Sequence, residues 1–380
     1  MSSLRSRLIA LLVLVLVAGV VSQSAGARAA DTRVPASAFA FGHGVLSPWP
    51  GMSRSPVLAA AHAASERGSV RSAASSLHAA AAGFSASGIT FGSNPFNDAY
   101  WADYDGDGRL DVLTLECSDS NGFCFTFVGR LYRNNGDGTF SENTSAGLPT
   151  MPGGGAVSWA DYDSDGYLDV LIFSCSDDMC SSFADRLFRN NGNGTFSEDT
   201  NASLPGVAPF FGPGVVWADY NNDGRLDILL SGVTSRGVVA ATTSLAPTLS
   251  FTTRLFLNKG DGSFSEDTHT GFPAGLGAGS SSDYDSDGYV DVLLFGCADE
   301  MCSTAVSKLY RNNGDGSFSE NTGAGLPGVL PVFNENGSVW GDYDGDGRPD
   351  ILLSGLTSIF GPVFAPVLKL YHNNGDGTFS

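Results

Sequence analysis

Residues 103–111 read Asp-Tyr-Asp-Gly-Asp-Gly-Arg-Leu-Asp, and no other stretch limits the fold of this chain so tightly. Four carboxylates stand at positions 1, 3, 5 and 9 of nine residues, with Gly108 at position 6. Like charges this close oppose one another's ionisation unless a cation neutralises them. A glycine at position 6 lets the backbone turn through positive φ without a Cβ clash. The pattern returns at 161–169, 219–227, 283–291 and 342–350, at intervals of 58, 58, 64 and 59 residues. The chain is a repeat array before it is anything else.

Hard oxygen donors on a tight turn suit Ca²⁺, which takes roughly 6–8 oxygens at about 2.3–2.6 Å. The candidate ligands of the first loop are Asp103, Asp105, Asp107 and Asp111, with the position-7 backbone carbonyl of Arg109. The second loop offers Asp161, Asp163, Asp165 and Asp169 with Tyr167; the third offers Asp219, Asn221, Asp223 and Asp227 with Arg225. The fourth offers Asp283, Asp285, Asp287 and Asp291 with Tyr289, and the fifth Asp342, Asp344, Asp346 and Asp350 with Arg348. Asn221 is the one ligand substitution and keeps an oxygen donor. An EF-hand is excluded, because that loop needs Glu at position 12 between helices. Position 12 here is Thr114, Ile172, Leu230, Leu294 and Leu353, inside β-like runs such as Asp-Val-Leu-Thr-Leu. The expected cofactor is therefore Ca²⁺ at about five sites.

The net charge of −20 across 380 residues invites a search for basic partners. Nineteen aspartates at the loop positions account for nearly all of it. The remainder is close to neutral, and a nucleic-acid partner, which needs a basic footprint, is not expected. At the N-terminus, Arg5 and Arg7 precede an apolar run from Leu8 to Val21, followed by small-x-small sequences ending at Ala27 and Ala29. Residues 1–29 are thus expected to be a cleaved secretory signal, with no stable membrane span afterwards. Residues 30–83, rich in Ala and Ser, are expected to be a poorly ordered linker. Six cysteines form three close pairs, Cys117/Cys124, Cys175/Cys180 and Cys297/Cys302, each just after the strand that leaves an acidic loop. An even count behind a leader predicts local disulfide staples.

The second repeat shows the unit. Ala156-Val-Ser-Trp-Ala enters the acidic loop, Asp169-Val-Leu-Ile-Phe-Ser leaves it, Arg186-Leu-Phe-Arg-Asn follows, and an Asn-Gly turn leads into Thr195-Phe-Ser-Glu. β-branched and aromatic runs bounded by Gly, Asn and Asp predict short antiparallel strands. Four strands in about 60 residues, repeated, predict an all-β propeller with one sheet per repeat. Trp101, Trp159, Trp217 and Trp340 stand two residues before their loops, with Ser281 in the fourth copy. They are expected to pack between sheets, sugar stacking being the alternative.

Asp-Tyr-Asp-x-Asp-Gly-x-x-Asp followed by Asn-Gly-Asp-Gly-Thr-Phe resembles the FG-GAP/VCBS repeat family, which includes the propellers of integrin α-subunits and many secreted bacterial proteins. The resemblance spans Phe84–Ser380. It implies calcium in the first hairpin of each blade, carried by Asp103, Asp105, Asp107, Asp111 and their counterparts. Rings of this family usually hold seven blades, whereas five repeats are visible. Two explanations stand open: the chain is a fragment, or a strand at Gly83-Phe84-Ser85 completes the last blade and closes a five-bladed ring.

In an antiparallel meander alternate turns fall at opposite ends. The acidic loops and Asn-Gly turns share one end; the cysteine turns and Gly-Leu-Pro segments share the other. Val233–Phe251 and Leu356–Val367 lengthen turns at this second end, and variable loops on a rigid scaffold are where binding usually lives. The expected function is secreted binding or adhesion toward an extracellular protein or glycan, whether released or surface-held. The alternative is a carbohydrate-active enzyme on the same scaffold. No nucleophile elbow, zinc-protease helix or P-loop is present, so no catalytic residue is assigned. His372, at the place of Arg133, Arg189 and Arg311, is read as positional drift.

Overall fold

The structure, a computed structural model, describes residues 89, 91, 98–118, 126–152, 155–176, 182–207, 214–241, 244–273, 276–297, 304–330, 337–357 and 366–380. The expected leader, its cleavage site, the linker of 30–83 and the strand expected at 83–85 lie outside these residues, as do Cys124, Cys180 and Cys302. Among the described residues there are twenty strands in five antiparallel sheets, and no helix.

The first sheet runs β1 (Asp98–Ala102), β2 (Asp111–Cys117), β3 (Thr126–Asn134) and β4 (Phe140–Glu142), with β5 (Thr150–Pro152) added on β3. The second is β6 (Gly155–Ala160), β7 (Asp169–Cys175), β8 (Phe183–Asn190) and β9 (Phe196–Glu198). The third is β10 (Val215–Ala218), β11 (Asp227–Ala241), β12 (Ser244–Asn258) and β13 (Phe264–Asp267). The fourth is β14 (Leu276–Ser282), β15 (Asp291–Cys297), β16 (Ala305–Asn312) and β17 (Phe318–Glu320). The fifth holds β18 (Ser338–Gly341), β19 (Asp350–Leu356) and β20 (Pro366–Tyr371), with one bridge, Asn373 to Phe379, where a fourth strand stands elsewhere. Four strands per blade therefore describes the three middle sheets, while the first gains a strand and the last has three.

Alternation along the second strand of each sheet explains how the blades pack. One face of β2 carries Leu113 and Leu115, and these join Val170 and Ile172 from the opposite face of β7 in one buried cluster. Leu171 and Phe173 meet Ile228 and Leu230 in the next cluster, and Leu229 meets Val292 and Leu294 in the third. Leu293 and Phe295 meet Ile351 and Leu353 in the fourth, which also takes in Phe183 and Val233. A strand buried on both faces needs an apolar run, which β7, β11 and β15 supply; in β2 the run is interrupted by buried Thr114, and in β19 one face is exposed at Leu352. The inter-blade segments are drawn tight as well. A Cβ at Gly206 or Gly328 would sit 1.9 Å from the carbonyl oxygen of Phe183 or Ala305, so only glycine fits there.

Trp217 and Trp340 pack between sheets as expected, whereas Trp101 is 39% exposed. Trp101, Trp159, Trp217 and Trp340 each lie edge-on to the phenylalanine of their own sheet's last strand, at 6.1–6.4 Å between centroids. Trp217 donates to Ser158 Oγ and Trp340 to Ser280 Oγ, in each case a hydroxyl of the preceding sheet, at 3.1 and 3.0 Å.

A polar stitch joins each sheet to the one before. Asn190 Nδ2 donates to the Tyr104 carbonyl, Asn258 to Tyr162, Asn312 to Tyr220 and Asn373 to Tyr284, each at 2.8 Å. The same tyrosine rings rest on Phe196, Phe264, Phe318 and Phe379 of the following sheet. All four asparagines are buried.

The last sheet shows what the stitch is for. Tyr343 is 58% exposed, where its four counterparts are at most 4% exposed. Val339, Leu352, Leu368 and Leu370, on the face that each earlier sheet presents to its successor, are 56%, 40%, 74% and 45% exposed. At the other end Phe91 rests on Tyr132 and Phe140 of the first sheet, as Phe272 rests on Tyr310 and Phe318 of the fourth.

The reading of 233–251 as a loop is corrected. β11 and β12 continue as a two-stranded ribbon with pairing from Ile228–Phe256 out to Ala241–Ser244, broken in register once between Val233 and Ser235. Pro247, which argues against a central strand, lies where the ribbon has outrun its neighbours, and an edge tolerates proline. Much of 356–367 lies outside the described residues.

Truncating Asn190 leaves buried carbonyls of Tyr104 and Leu168 without a donor. Asn190→Ala is expected to destabilise the chain by about 1–3 kcal/mol. Asn134→Ala, at the first sheet, removes a donor to Leu110 alone among the described carbonyls and should cost less. Equal losses in urea unfolding of the two variants would contradict the stitch.

Candidate metal centre

Each acidic loop is the turn between the first and second strands of a sheet, closed by pairs such as Ala102–Asp111 and Ala160–Asp169. Position 9 is therefore the first residue of the second strand and is buried in all five copies. The loop's own N–H groups hold its carboxylates. Asp103 accepts from the amides of Asp107 and Gly108 at 3.0 and 2.8 Å, and Asp107 Oδ1 accepts from Arg109 N at 3.0 Å. Asp111 accepts from Tyr104 N at 3.3 Å and from Asn134 N at 2.7 Å. The last pair of contacts recurs on Asp169, Asp227, Asp291 and Asp350. Position 6 has φ from +85° to +94° in every copy, as its glycine requires. Position 4 is also left-handed, with Ser164, Asn222 and Ser286 at +59°, +56° and +59°.

Carboxylate oxygens of positions 1, 3 and 9 converge in three loops: Asp103, Asp105 and Asp111; Asp161, Asp163 and Asp169; Asp283, Asp285 and Asp291. Within each trio they lie no more than 4.8 Å apart. Two oxygens across a calcium ion stand about 4.6–5.2 Å apart at most, given its bond lengths. The trios fit an oxygen-bound divalent cation. In the fifth loop Asp342, Asp344 and Asp346 converge, and Asp344 also meets Asp350 and His372. The third loop, with Asn221 at position 3, brings no three acidic groups together among the described residues.

In the first four loops position 5 faces elsewhere, toward arginines that the sequence reading passed over. Arg133 Nε lies 2.5 Å from Asp105 and its terminal nitrogen 2.7 Å from Asp107. Arg189 holds Asp163 and Asp165 at 2.6 and 3.0 Å, and Arg311 holds Asp285 and Asp287 at 2.5 and 2.6 Å. Each arginine ends the third strand of the same sheet, 24–28 residues along the chain. The third sheet has Leu257 there, and it is the sheet whose loop has the neutral Asn221. A second cation comes from position 7: Arg109, Arg225 and Arg348 reach Asp107, Asp223 and Asp346. These pairs are half exposed and weak singly. Their effect is to fix the outer oxygens of positions 3 and 5 and so orient the inner ones. The position-7 side chain also lies on the glycine of the Asn-Gly turn: Arg109 on Gly136, Tyr167 on Gly192 and Tyr289 on Gly314. The two turns thus sit side by side at one end of the sheet.

Burial pushes the position-9 carboxyls up, to about 7 for Asp111, Asp169 and Asp227 and about 8 for Asp291, with neighbouring carboxylates adding to the shift. The backbone amides that bind them offset part of it. A divalent ion against these groups would supply the charge that their surroundings lack.

A model of the FG-GAP-like repeat matches residues 103–172, 172–230 and 283–353, just over half of the chain and every one of the five loops. The chain belongs to the FG-GAP-like repeat family. An FG-GAP relative in mouse, cartilage acidic protein 1, is 30% identical over 212 residues, which is 51% of this chain and 29% of that protein. The chain thus spans less than a third of the length of this relative. Among solved structures, an Agrocybe aegerita lectin described for recognition of non-reducing terminal N-acetylglucosamine is 18% identical over 75% of this chain and 78% of its own, with a TM-score of 0.33. The Photorhabdus luminescens Tc holotoxin pore is 16% identical over 76% of this chain and 12% of its own, with a TM-score of 0.34. Neither score is high enough to bear on the fold or function of the FG-GAP repeats here. Among the described residues no helix is long and apolar enough to cross a membrane.

The raised carboxyls set the sign of a pH effect. Below about pH 4 they are protonated both folded and unfolded. As pH rises toward 7–8 the unfolded chain releases protons that native Asp111, Asp169, Asp227 and Asp291 retain, so ion-free stability falls through that window. Saturating Ca²⁺ favours the ionised native form, and the fall should flatten or reverse. Melting temperature against pH, in chelator and in Ca²⁺, checks this; parallel curves would rule it out.

Proposed function

We propose that this chain is a secreted, calcium-stabilised FG-GAP binding module whose ligand is an extracellular protein or glycan. In this reading Ca²⁺ is held by the aspartates at positions 1, 3, 5 and 9 and by the position-7 carbonyl of each loop, and its role is to rigidify. The convergence of positions 1, 3 and 9 supports the inner ligands. The position-5 carboxylates of the first four loops, turned toward arginine, would have to swing inward to bind directly. Local disulfides after the second strands fit a secreted chain, and the described cysteines Cys117 and Cys175 are not free thiols. The leader-like N-terminus supports export.

One observation carries the binding role. Four of the sheets have second strands of 7 residues, whereas β11 and β12 run 15 residues each. The extension lies at the end of the sheet opposite the acidic loop, because it is the next turn of the meander. The extension begins past the buried Val233, and variable extensions on rigid scaffolds are used for recognition.

Ser235 and Ser250 are paired partners beyond the buried Val233, so an Asn-Gly turn can replace residues 236–249 without a shift in register. The shortened chain is expected to lose its signal on glycan and extracellular-protein arrays by at least about tenfold. Its Ca²⁺-dependent rise in melting temperature should be kept. Undiminished array binding would remove the ribbon from the ligand site.

A further inference from the structure

The fifth loop differs from the others in one residue that the fold brings to it. Where Arg133, Arg189 and Arg311 close the first, second and fourth loops, the last sheet has His372. Its Nδ1 lies 3.2 Å from Asp344 Oδ2 and 3.3 Å from Asp350 Oδ1. Its Nε2 is 4.0 Å from Asp346 Oδ2, and the ring meets Tyr343 edge-on at 6.2 Å between centroids. The side chain of Asp350 is fully buried. Nδ1 is itself buried and makes no hydrogen bond, although two carboxylate oxygens lie close to it. Two carboxylate oxygens and one imidazole nitrogen therefore lie within 4.8 Å of one another, and the nitrogen makes no hydrogen bond.

We propose that Asp344, Asp350 and His372 form a nitrogen-containing site for a divalent transition-metal ion of the zinc class. Imidazole is a borderline donor that suits Zn²⁺, Cu²⁺, Ni²⁺ or Co²⁺, whereas carboxylates alone suit Ca²⁺ and Mg²⁺. Zinc bonds of about 2.0–2.2 Å in tetrahedral array put neighbouring ligand atoms roughly 3.3–3.5 Å apart. The separations of 3.2 and 3.3 Å match that edge. A bound ion would also give the buried Nδ1 lone pair its partner. No other described histidine has this setting: His269 is 85% exposed beside Asp267. The inference deepens the cation-cage reading for the fifth loop and rests on it only in that Asp344 and Asp350 face inward. It requires no calcium in the other four.

The test uses the full chain, stripped with chelator and titrated separately with Ca²⁺ by calorimetry and with Co²⁺ by visible absorption. A single Co²⁺ band, displaced by about one equivalent of Zn²⁺, is expected for the wild type. His372→Arg, which installs the residue of the other sheets, should lose the band and weaken Zn²⁺ binding at least roughly tenfold. Its Ca²⁺ uptake should remain. X-ray absorption at the zinc edge of the wild-type protein gives a readout that needs no variant, and imidazole scattering is expected. An oxygen-only shell overturns the proposal, as does absence of the Co²⁺ band or its persistence in folded His372→Arg. Failure of the calcium reading is a separate result: no Ca²⁺ uptake in wild type or variant, with the Co²⁺ band intact.

Discussion

A buried carboxylate at position 9 of each acidic loop is the joint on which the architecture depends. One oxygen of Asp169 takes the amide of Tyr162 and the other takes the amide of Asn190. The side chain of Asn190 then donates to the carbonyl of Tyr104 in the sheet before, whose amide is held by Asp111. The same links recur through Asp227, Asn258 and Tyr162, through Asp291, Asn312 and Tyr220, and through Asp350, Asn373 and Tyr284. A single relay of carboxylate, amide and carbonyl thus runs from the first sheet to the last. Removing any link leaves its buried neighbours without partners.

That relay ties the loop chemistry to the packing of the sheets. The carboxylate that fixes the third strand also faces positions 1 and 3 of the loop, where a cation fits. Burial raises Asp169 and Asp227 to about 7, and a proton, where bound, occupies one of the oxygens the relay uses as acceptors. Charge at the loop and registration of the sheets are therefore two faces of one equilibrium. The arginines ending the third strands belong to the same balance. They face a charged position 3 in the first, second and fourth sheets, His372 takes their place beside Asp344 in the fifth, and the sheet with Leu257 pairs it with Asn221.

Much of this was legible in the residues. The nine-residue loops, the strand order and the packing role of the tryptophans all follow from patterns shorter than a dozen residues, where local sterics and alternation decide. The turns that begin with asparagine two residues before a glycine were legible only by half. Their φ requirement is local, but their first asparagine acts on a carbonyl 86–96 residues away. Residues 233–251 read as a loop because the other repeats have a shorter turn at that place, while the pairing that makes a ribbon of them is between strands. His372 read as drift because its partners lie on the other side of a hairpin, 22 and 28 residues back.

The sequence by itself determined the repeat, the acidic turns and the short apolar runs whose successive side chains point to opposite faces of each sheet. These are properties of a few consecutive residues. The tertiary structure alone decided which oxygens of each loop converge and which are held by arginine. It also decided which asparagine joins which sheet, and that the last sheet leaves Val339, Leu352, Leu368 and Leu370 uncovered. Those outcomes depend on distances between strands from separate repeats. Such distances are fixed only when the sheets pack.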